Sequence, residues 1–349
     1  MEAERNIDVT RDMVSVIICA YKNAHLTRRC LESLQSAFGG RLPETVLVDD
    51  AAGDAETAAV AAAFPGAKFV VMPENGGFAA ANNRALPYCT KPFVALVNND
   101  IVFREEPFTA LVEFMGSHPK CGMAQGTILV RNWKDGPEWL LDGCGGMLTP
   151  FGTLTTPGWL EPPSAPVAGA ARRCFSPSGA MLLLRRAAIE DVGRLFYDFF
   201  HSYYEEIDFS HRALLRGWEA WYVPTTPVEH VHSATFSKFA DRSTVMRRFY
   251  RNMRFSLATC LGTRGRLFVR PAFELLCLGQ VVVQLLRGKT FALRAHAWAV
   301  AQMWKMRRLV RETRKDIQSR RNTGDTRLFK AVMRNYSLRQ FIAAAKGNT

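Results

Sequence analysis

The run Phe93-Val94-Ala95-Leu96-Val97 leads without a break into two carboxamides and a carboxylate, Asn98-Asn99-Asp100. An uninterrupted apolar run of this length reads as a strand buried on both faces, and such strands belong to sheets covered by helices. In open α/β sheets ligands bind outside the carboxyl ends of the strands. Asn98, Asn99 and Asp100 place oxygen donors at that edge. Oxygens of this kind suit a hard cation, Mg²⁺ or Mn²⁺, shared with a substrate phosphate. Taken alone, the tripeptide reads first as a polar turn after a core strand, and its neighbours along the chain reverse that reading.

Residues 13–130 alternate strand and helix signals. Met13 to Cys19 reads as a buried strand, and Leu26, Cys30, Leu31 and Leu34 follow at helical spacing. Thr45 to Val48 is a second strand with Asp49-Asp50 at its end. An alanine-rich helix from Asp54 to Phe64 and a third strand from Ala67 to Met72 come next. Gly76-Gly77 opens a helix over Phe78 to Leu86, and Phe93 to Val97 is the fourth strand. This alternation predicts a mostly parallel sheet with right-handed crossovers.

Residues 131–176, rich in Gly, Pro and Trp, break the pattern and read as irregular loops or short antiparallel strands. Regular signals resume with a strand at Ala180 to Leu184 and a helix at Ala187 to Val192. A helix at Glu205 to Arg216, ended by Gly217, and a strand at Ala220 to Val223 follow. Residues 243–349 read as mostly helical.

Polar groups fall at the ends of four predicted strands: Ala20-Tyr21, Asp49, Asn98-Asn99-Asp100, and His230 with His232. In an open sheet such positions converge on one rim. Each has an ordinary reading as a cap, a turn or a loop histidine, and their coincidence favours a site. The acidic group Glu205-Glu206-Ile207-Asp208 follows Phe196, Phe199, Phe200, Tyr203 and Tyr204. Acids in a first helical turn complement the helix dipole. A carboxyl walled by aromatics also gains proton affinity, as a general base requires.

The 349 residues suffice for one large domain or two. The net charge of +13 is unevenly spread. Residues 1–241 hold 21 Lys and Arg against 28 Asp and Glu, whereas residues 242–349 hold 24 against 4. So basic a segment calls for an anionic partner or surface. Arg247, Arg248, Arg251 and Arg254 alternate with Met246, Phe249, Met253, Phe255 and Leu257. Farther on, Trp298, Met303, Trp304 and Met306 stand beside Lys305, Arg307 and Arg308. Such helices predict peripheral attachment to an anionic membrane surface, with packing on the enzyme or a homo-oligomer as the plain alternative. The longest apolar run, Pro271 to Leu286, is broken by Glu274, Gln280 and Gln284 and falls short of the ~20 residues a span needs. No nucleic-acid-binding signature is present, so no nucleic-acid partner is expected. Eight dispersed cysteines without a Cys-x-x-Cys pair argue against zinc and suit reduced thiols in a cytoplasmic compartment. The charged first twelve residues do not read as a signal peptide.

Seven segments in order carry a resemblance: VSVIICAYKN at 14–23, VLVDDAAGD at 46–54, ENGGFAAANNRA at 74–85, LVNNDIV at 96–102, SGAMLLLRR at 178–186, YEEIDFSHRALLRGW at 204–218 and VEHVH at 228–232. Across about two thirds of its length the chain resembles an inverting family 2 glycosyltransferase of the GT-A fold, closest to the rhamnosyltransferase-like branch. The resemblance implies a Rossmann-like, mostly parallel α/β nucleotide-sugar domain followed by a basic helical region. The divisions are an N-terminal extension at 1–12 and a catalytic domain at 13–241. The latter splits into a nucleotide-sugar half (13–130) and an acceptor half (131–241), with the basic region at 242–349. It further implies that Ala20, Tyr21 and Asp49 hold the nucleoside of a nucleoside-diphosphate sugar. Asn75, Gly77, Phe78 and Asn82 would shape the floor, with Asn98 and Asn99 beside the donor. Asp100 and His230 would bind Mg²⁺ or Mn²⁺. Glu206 falls where that branch places its base, with Glu205 and Asp208 as the other candidates. A glycan or lipid-linked glycan hydroxyl would be the acceptor, and the enzyme would work on the inner face of the cell membrane.

One departure matters. Where the family often has Asp-x-Asp, this chain has Asn98 first, leaving a single carboxylate. That keeps open a reading of a different class, a catalytically silent nucleotide-sugar-binding subunit of a glycan assembly complex. A dinucleotide-dependent oxidoreductase lacks its Gly-x-Gly-x-x-Gly signature after the first strand.

Overall fold

The computed structural model describes residues 2–51, 55–131, 138–231 and 242–332. Along the chain run α1 (Glu2–Met13), β1 (Val14–Ala20), α2 (Ala24–Ala37), β2 (Glu44–Asp49), α3 (Ala55–Ala63), β3 (Ala67–Val71), α4 (Gly77–Ala85), β4 (Phe93–Asn98), β5 (Ile101–Phe103) and α5 (Phe108–Ser117). Then come β6 (Cys121–Gln125), β7 (Ile128–Arg131), β8 (Trp139–Leu141), β9 (Met147–Leu148), β10 (Leu154–Thr155), β11 (Arg172–Cys174), β12 (Met181–Arg185) and α6 (Arg186–Val192). Next are α7 (Glu205–Arg216), β13 (Glu219–Tyr222) and β14 (Val228–His230). Five helices close the described chain: α8 (Arg242–Cys260), α9 (Thr263–Leu286), α10 (Phe291–Lys305), α11 (Arg307–Ser319) and α12 (Asp325–Val332).

The central sheet has the order β11-β13-β6-β12-β4-β1-β2-β3. β4, β1, β2 and β3 pair in parallel, as do β13 and β6, while β12 runs antiparallel to both its neighbours. Strand pleating sends Val16 and Ile18 to one face, packed with Cys30, Leu31 and Phe108 of α2 and α5. Ile17, Val46, Val48 and Leu96 face the other way, toward Ala79, Phe209, Met253 and Phe255 of α4, α7 and α8. Burial on both sides explains the continuous apolar runs. β6 and β7, which the alternation of strand and helix signals does not reveal, lie in the central sheet and in a smaller one, and carry the fold across residue 130.

That smaller sheet, β5-β14-β7-β8, places the site. β14 pairs antiparallel with β5, matching His230 to Ile101, and parallel with β7, matching His230 to Val130. β8 lies beyond β7 and delivers Asp142.

The basic helices are fastened to the catalytic domain. Asn322 and Thr323 donate their backbone N–H groups to the carbonyl of Leu215. The Arg320 guanidinium donates to the carbonyls of Asp191 and Val192, both at 2.8 Å. The expectation that apolar residues of α8 insert into a membrane is corrected here: Met253, Phe255 and Leu257 are buried in the protein core, because α8 packs against α7, α10 and α11 on different sides. The apolar segment near Pro271 is also longer than its sequence suggests. α9 begins at Thr263, has 24 residues, and by length and composition is long enough to cross a membrane. One stripe of it, Val269, Phe273, Cys277 and Val281, is buried against the neighbouring helices.

Candidate functional site

At the carboxyl edge of β1 and β4 lies a cavity of about 580 Å³. The β1/β4 register sets Cys19 beside Asn98, so the chain leaving β1 at Ala20 and Tyr21 runs next to Asn98, Asn99 and Asp100. All five residues line the cavity, as do Asn75, Gly77, Phe78, Glu205, Glu206 and His230. His232 lies outside the described residues.

Three candidates do not line it. Asp49 is replaced by its neighbour Asp50, whose Oδ1 accepts from Gly76 N at 2.8 Å and whose Oδ2 accepts from Gly77 N at 2.9 Å. Strand periodicity is the reason: adjacent residues leave β2 toward opposite sides, and only one meets the Gly76-Gly77 turn. Asn82 is fully buried, with Nδ2 donating to the Phe78 carbonyl at 2.8 Å, and it braces α4 from within. Asp208 is turned into the core, where its Oδ2 accepts from Arg212 Nε at 2.8 Å. Arg212 also donates to the carbonyls of Arg194 and Leu195, which completes a buried structural ion pair.

Gly77 is required by its surroundings. Its φ is +72°, and a Cβ there would stand 2.4 Å from the carbonyl oxygen of His201. That carbonyl accepts from Ala79 N at 2.9 Å, joining the turn to the loop before α7.

This loop is unusual. His201, Tyr203 and Tyr204 have φ of 63°, 75° and 76°, conformations that non-glycine residues adopt at a cost. Asn252 of α8 holds them, its Nδ2 reaching the carbonyls of Tyr203 at 2.7 Å, Phe200 at 3.0 Å and Ser202 at 3.3 Å. Asn252 is fully buried, and the sequence offers no signal for it beyond an amide among apolar helix positions. The loop delivers Glu205 and Glu206 at the start of α7. Burial raises the Glu206 carboxyl to about 7. Glu205, only 5% exposed, is pushed well above the ordinary carboxyl range, first by burial and then by the adjacent Glu206. Both carboxyls are thus held toward their protonated forms by burial, and the pair titrates as a unit.

On the opposite wall His230 Nε2 lies 3.3 Å from Asp100 Oδ1, and His230 Nδ1 lies 3.4 Å from Asp142 Oδ2. Burial opposes a charge on His230, but bonding to Asp100 and Asp142 and their charges outweigh it and raise the imidazole to about 10. A carboxylate behind one ring nitrogen and a second carboxylate before the other is the arrangement that orients a metal-binding histidine. The donor set fits a hard divalent cation between Asp100 and His230 Nε2, with Asp142 orienting the ring. Among the described residues no group of three or more His, Cys, Asp or Glu side chains is placed to hold a metal ion. Remaining ligands would come from the donor diphosphate and water. Asp142 sits in the irregular 131–176 stretch as an isolated acid, so nothing in its sequence context marks it.

These elements define a GT-A fold, a mostly parallel sheet with a cavity at the carboxyl ends of its strands. The model of Glycosyl transferase family 2 matches residues 15–193, just over half the chain, and the chain belongs to that family. Comparison with curated proteins finds no match. Among solved structures, the crystal structure of GalNAc-T7 with UDP, GalNAc and Mn²⁺ aligns with a TM-score of 0.57 at 13% identity, covering 84% of this chain and 57% of that one. The present chain thus spans little more than half of that relative's length. The crystal structure of S. aureus TarS 1-349 in complex with UDP aligns with a TM-score of 0.50 at 18% identity, covering 88% of each chain. Both likenesses are of fold.

Proposed function

We propose that the protein is an inverting glycosyltransferase. It would move a hexosyl or deoxyhexosyl unit, rhamnosyl in the reading its motif order favours, from a nucleoside-diphosphate sugar to a hydroxyl of a glycan or lipid-linked glycan. One observation carries the reading: a carboxyl poised near neutrality, Glu206, shares a single cavity with the Asp100–His230 pair. Family membership and the neighbours solved with UDP support it.

Ala20, Tyr21 and Asp50 would border the nucleoside, and Asn75, Gly77 and Phe78 the floor beneath the donor. Asp100 and His230 would hold Mg²⁺ or Mn²⁺, which supplies neutralising charge to the departing diphosphate. Glu206 takes the proton from the acceptor hydroxyl as its oxygen attacks the anomeric carbon. The bond from that carbon to the diphosphate oxygen breaks on the opposite face, and its electron pair leaves with the diphosphate. A single displacement inverts the anomeric centre, and no side chain becomes covalently attached.

We place the enzyme peripherally on the cytoplasmic face of a membrane. Phe268, Leu275, Leu278, Val282 and Leu286 of α9 and Trp304 of α10 are exposed, Leu286 to 83%. Exposed Arg264, Arg266, Arg270, Arg287 and Lys289 flank them. A continuous apolar strip edged by cations suits an anionic bilayer surface.

The functional reading is tested by screening sugar nucleotides for thermal stabilisation with Mn²⁺ present. Stabilisation by at least one donor, lost on adding EDTA, is expected. A panel in which no sugar nucleotide stabilises the protein would overturn it.

A further inference from the structure

A second cavity, of about 700 Å³, adjoins the first, and His201 and Arg248 line both. Three guanidinium groups, Arg247, Arg248 and Arg251, stand on its wall. Resting on the glycosyltransferase reading, we propose that this cavity binds the phosphate or diphosphate group of the acceptor.

The three arginines are poorly neutralised. Among the described residues neither Arg247 nor Arg248 has an ion-pair or hydrogen-bond partner, and the Arg247 Nε is buried with none. Arg251 donates to the carbonyls of Phe199 and Phe200, neutral groups that leave its charge uncompensated. Its guanidinium also lies 5.6 Å from the Trp298 ring centre, within cation–π range. Two carboxylates, Glu74 and Asp198, share the wall, but neither pairs with an arginine, and Asp198 accepts from the Asn83 amide at 2.6 Å.

The crowding of positive charge shows in its neighbours. Burial, then Arg248 and Arg251, hold His201 down to about 4. Burial and then Arg248 lower Arg251 to about 10. Three guanidinium groups against two carboxylates, neither of which pairs with them, leave the concavity with an excess of positive charge that an arriving anion would relieve. Phosphate matches guanidinium forks in charge and geometry better than a single carboxylate does. Arg248 and His201 stand on both cavities, and the first of these holds Glu206, beside which the proposed reaction places the acceptor hydroxyl. Trp298 stands on the helix that also exposes Leu293, Val300 and Trp304, so a lipid-borne phosphate is one source and a soluble phosphorylated glycan the other.

The test titrates inorganic pyrophosphate into the full chain by calorimetry with EDTA present, which removes the cation that would draw diphosphate to the donor cavity. Wild type should bind it. Arg247→Gln should weaken binding on the order of tenfold or more, the loss expected for one charge-assisted bond, and Arg247→Lys should retain most of it. Arg247 makes no contact needed for folding, and an unchanged melting temperature for Arg247→Gln checks that. No binding to wild type, or equal binding to Arg247→Gln, overturns the proposal. A parallel arm with farnesyl diphosphate separates the sources: tighter binding than pyrophosphate indicates the lipid form, and equal binding the soluble one. Stabilisation by sugar nucleotide with Mn²⁺ is read independently. Its failure alone would remove the glycosyltransferase reading yet leave an anion site in place.

Discussion

Asn252 Nδ2 lies 2.7 Å from the carbonyl oxygen of Tyr203, the second residue before Glu205. A helix of the basic C-terminal region thus holds the backbone that presents the acidic pair. Asn252→Ala is expected to lower kcat by about 10²-fold, the scale of a misplacement near 1 Å. The donor KM should hardly move. The second readout is the pH profile. A loosened loop admits water to Glu206, so the acidic limb should shift below that of wild type. An unshifted limb with normal kcat would count against the positioning role.

Glu206→Gln should reduce turnover by about 10²–10⁴-fold while sugar-nucleotide binding is retained. In wild type, the burial that raises Glu206 to about 7 means that turnover rises with pH through that value and levels above it. The stability effect has the opposite direction. A carboxyl whose folded-state value exceeds its unfolded value favours folding at low pH and loses that contribution as pH rises through about 7. Glu206→Gln should therefore raise Tm more at pH 8 than at pH 5. A dead Glu205→Gln beside an active Glu206→Gln would show that the base is misassigned.

Asp100→Ala should abolish Mn²⁺-stimulated transfer with the fold intact. Asp142→Asn should weaken Mn²⁺ affinity by about 10–100-fold, the range for residues that orient a metal-binding histidine. Titrating Mn²⁺ against activity and against thermal stability separates the two. Equal Mn²⁺ affinity in Asp142→Asn and wild type would remove Asp142 from the site.

Asp208→Ala should behave differently from either glutamate variant. Removing one partner of the buried Asp208–Arg212 pair leaves an uncompensated guanidinium in the core, at a cost of about 3–5 kcal/mol. Urea unfolding measures it. A stable but inactive Asp208→Asn would return Asp208 to the catalytic candidates.

The exposed strip of α9 should sediment the protein with anionic liposomes and hardly at all with neutral ones, less so as salt rises. Each flanking cation near the surface contributes on the order of 1 kcal/mol. Leu275→Asp combined with Leu278→Asp should release it without loss of Tm, because both side chains are exposed. Equal failure of wild type to bind either liposome at low salt would leave contact between copies as the use of that strip.

Much of this was legible in the chain. Strand and helix periods from Met13 to Asp100 and the polar residues ending the predicted strands are local patterns, and they point to Asp100 and His230 on one rim; Glu205 and Glu206, in a helix's first turn, joined them only through the family resemblance. Local pattern also exposed the concentration of basic charge after residue 241. It did not choose between Asp49 and Asp50, because that choice depends on which side of β2 meets the Gly76-Gly77 turn. Nor did it separate Glu206 from Asp208, because one is open to a cavity and the other is sealed against Arg212. Asp142, Asn252 and the Arg247–Arg251 cluster became visible only when β8, α8 and α10 were brought against the sheet. Side-chain chemistry and periodicity are properties of neighbours in sequence. Burial, charge state and hydrogen-bond partners are properties of neighbours in space, and in this protein those come from elements as distant in sequence as Asp100 and His230.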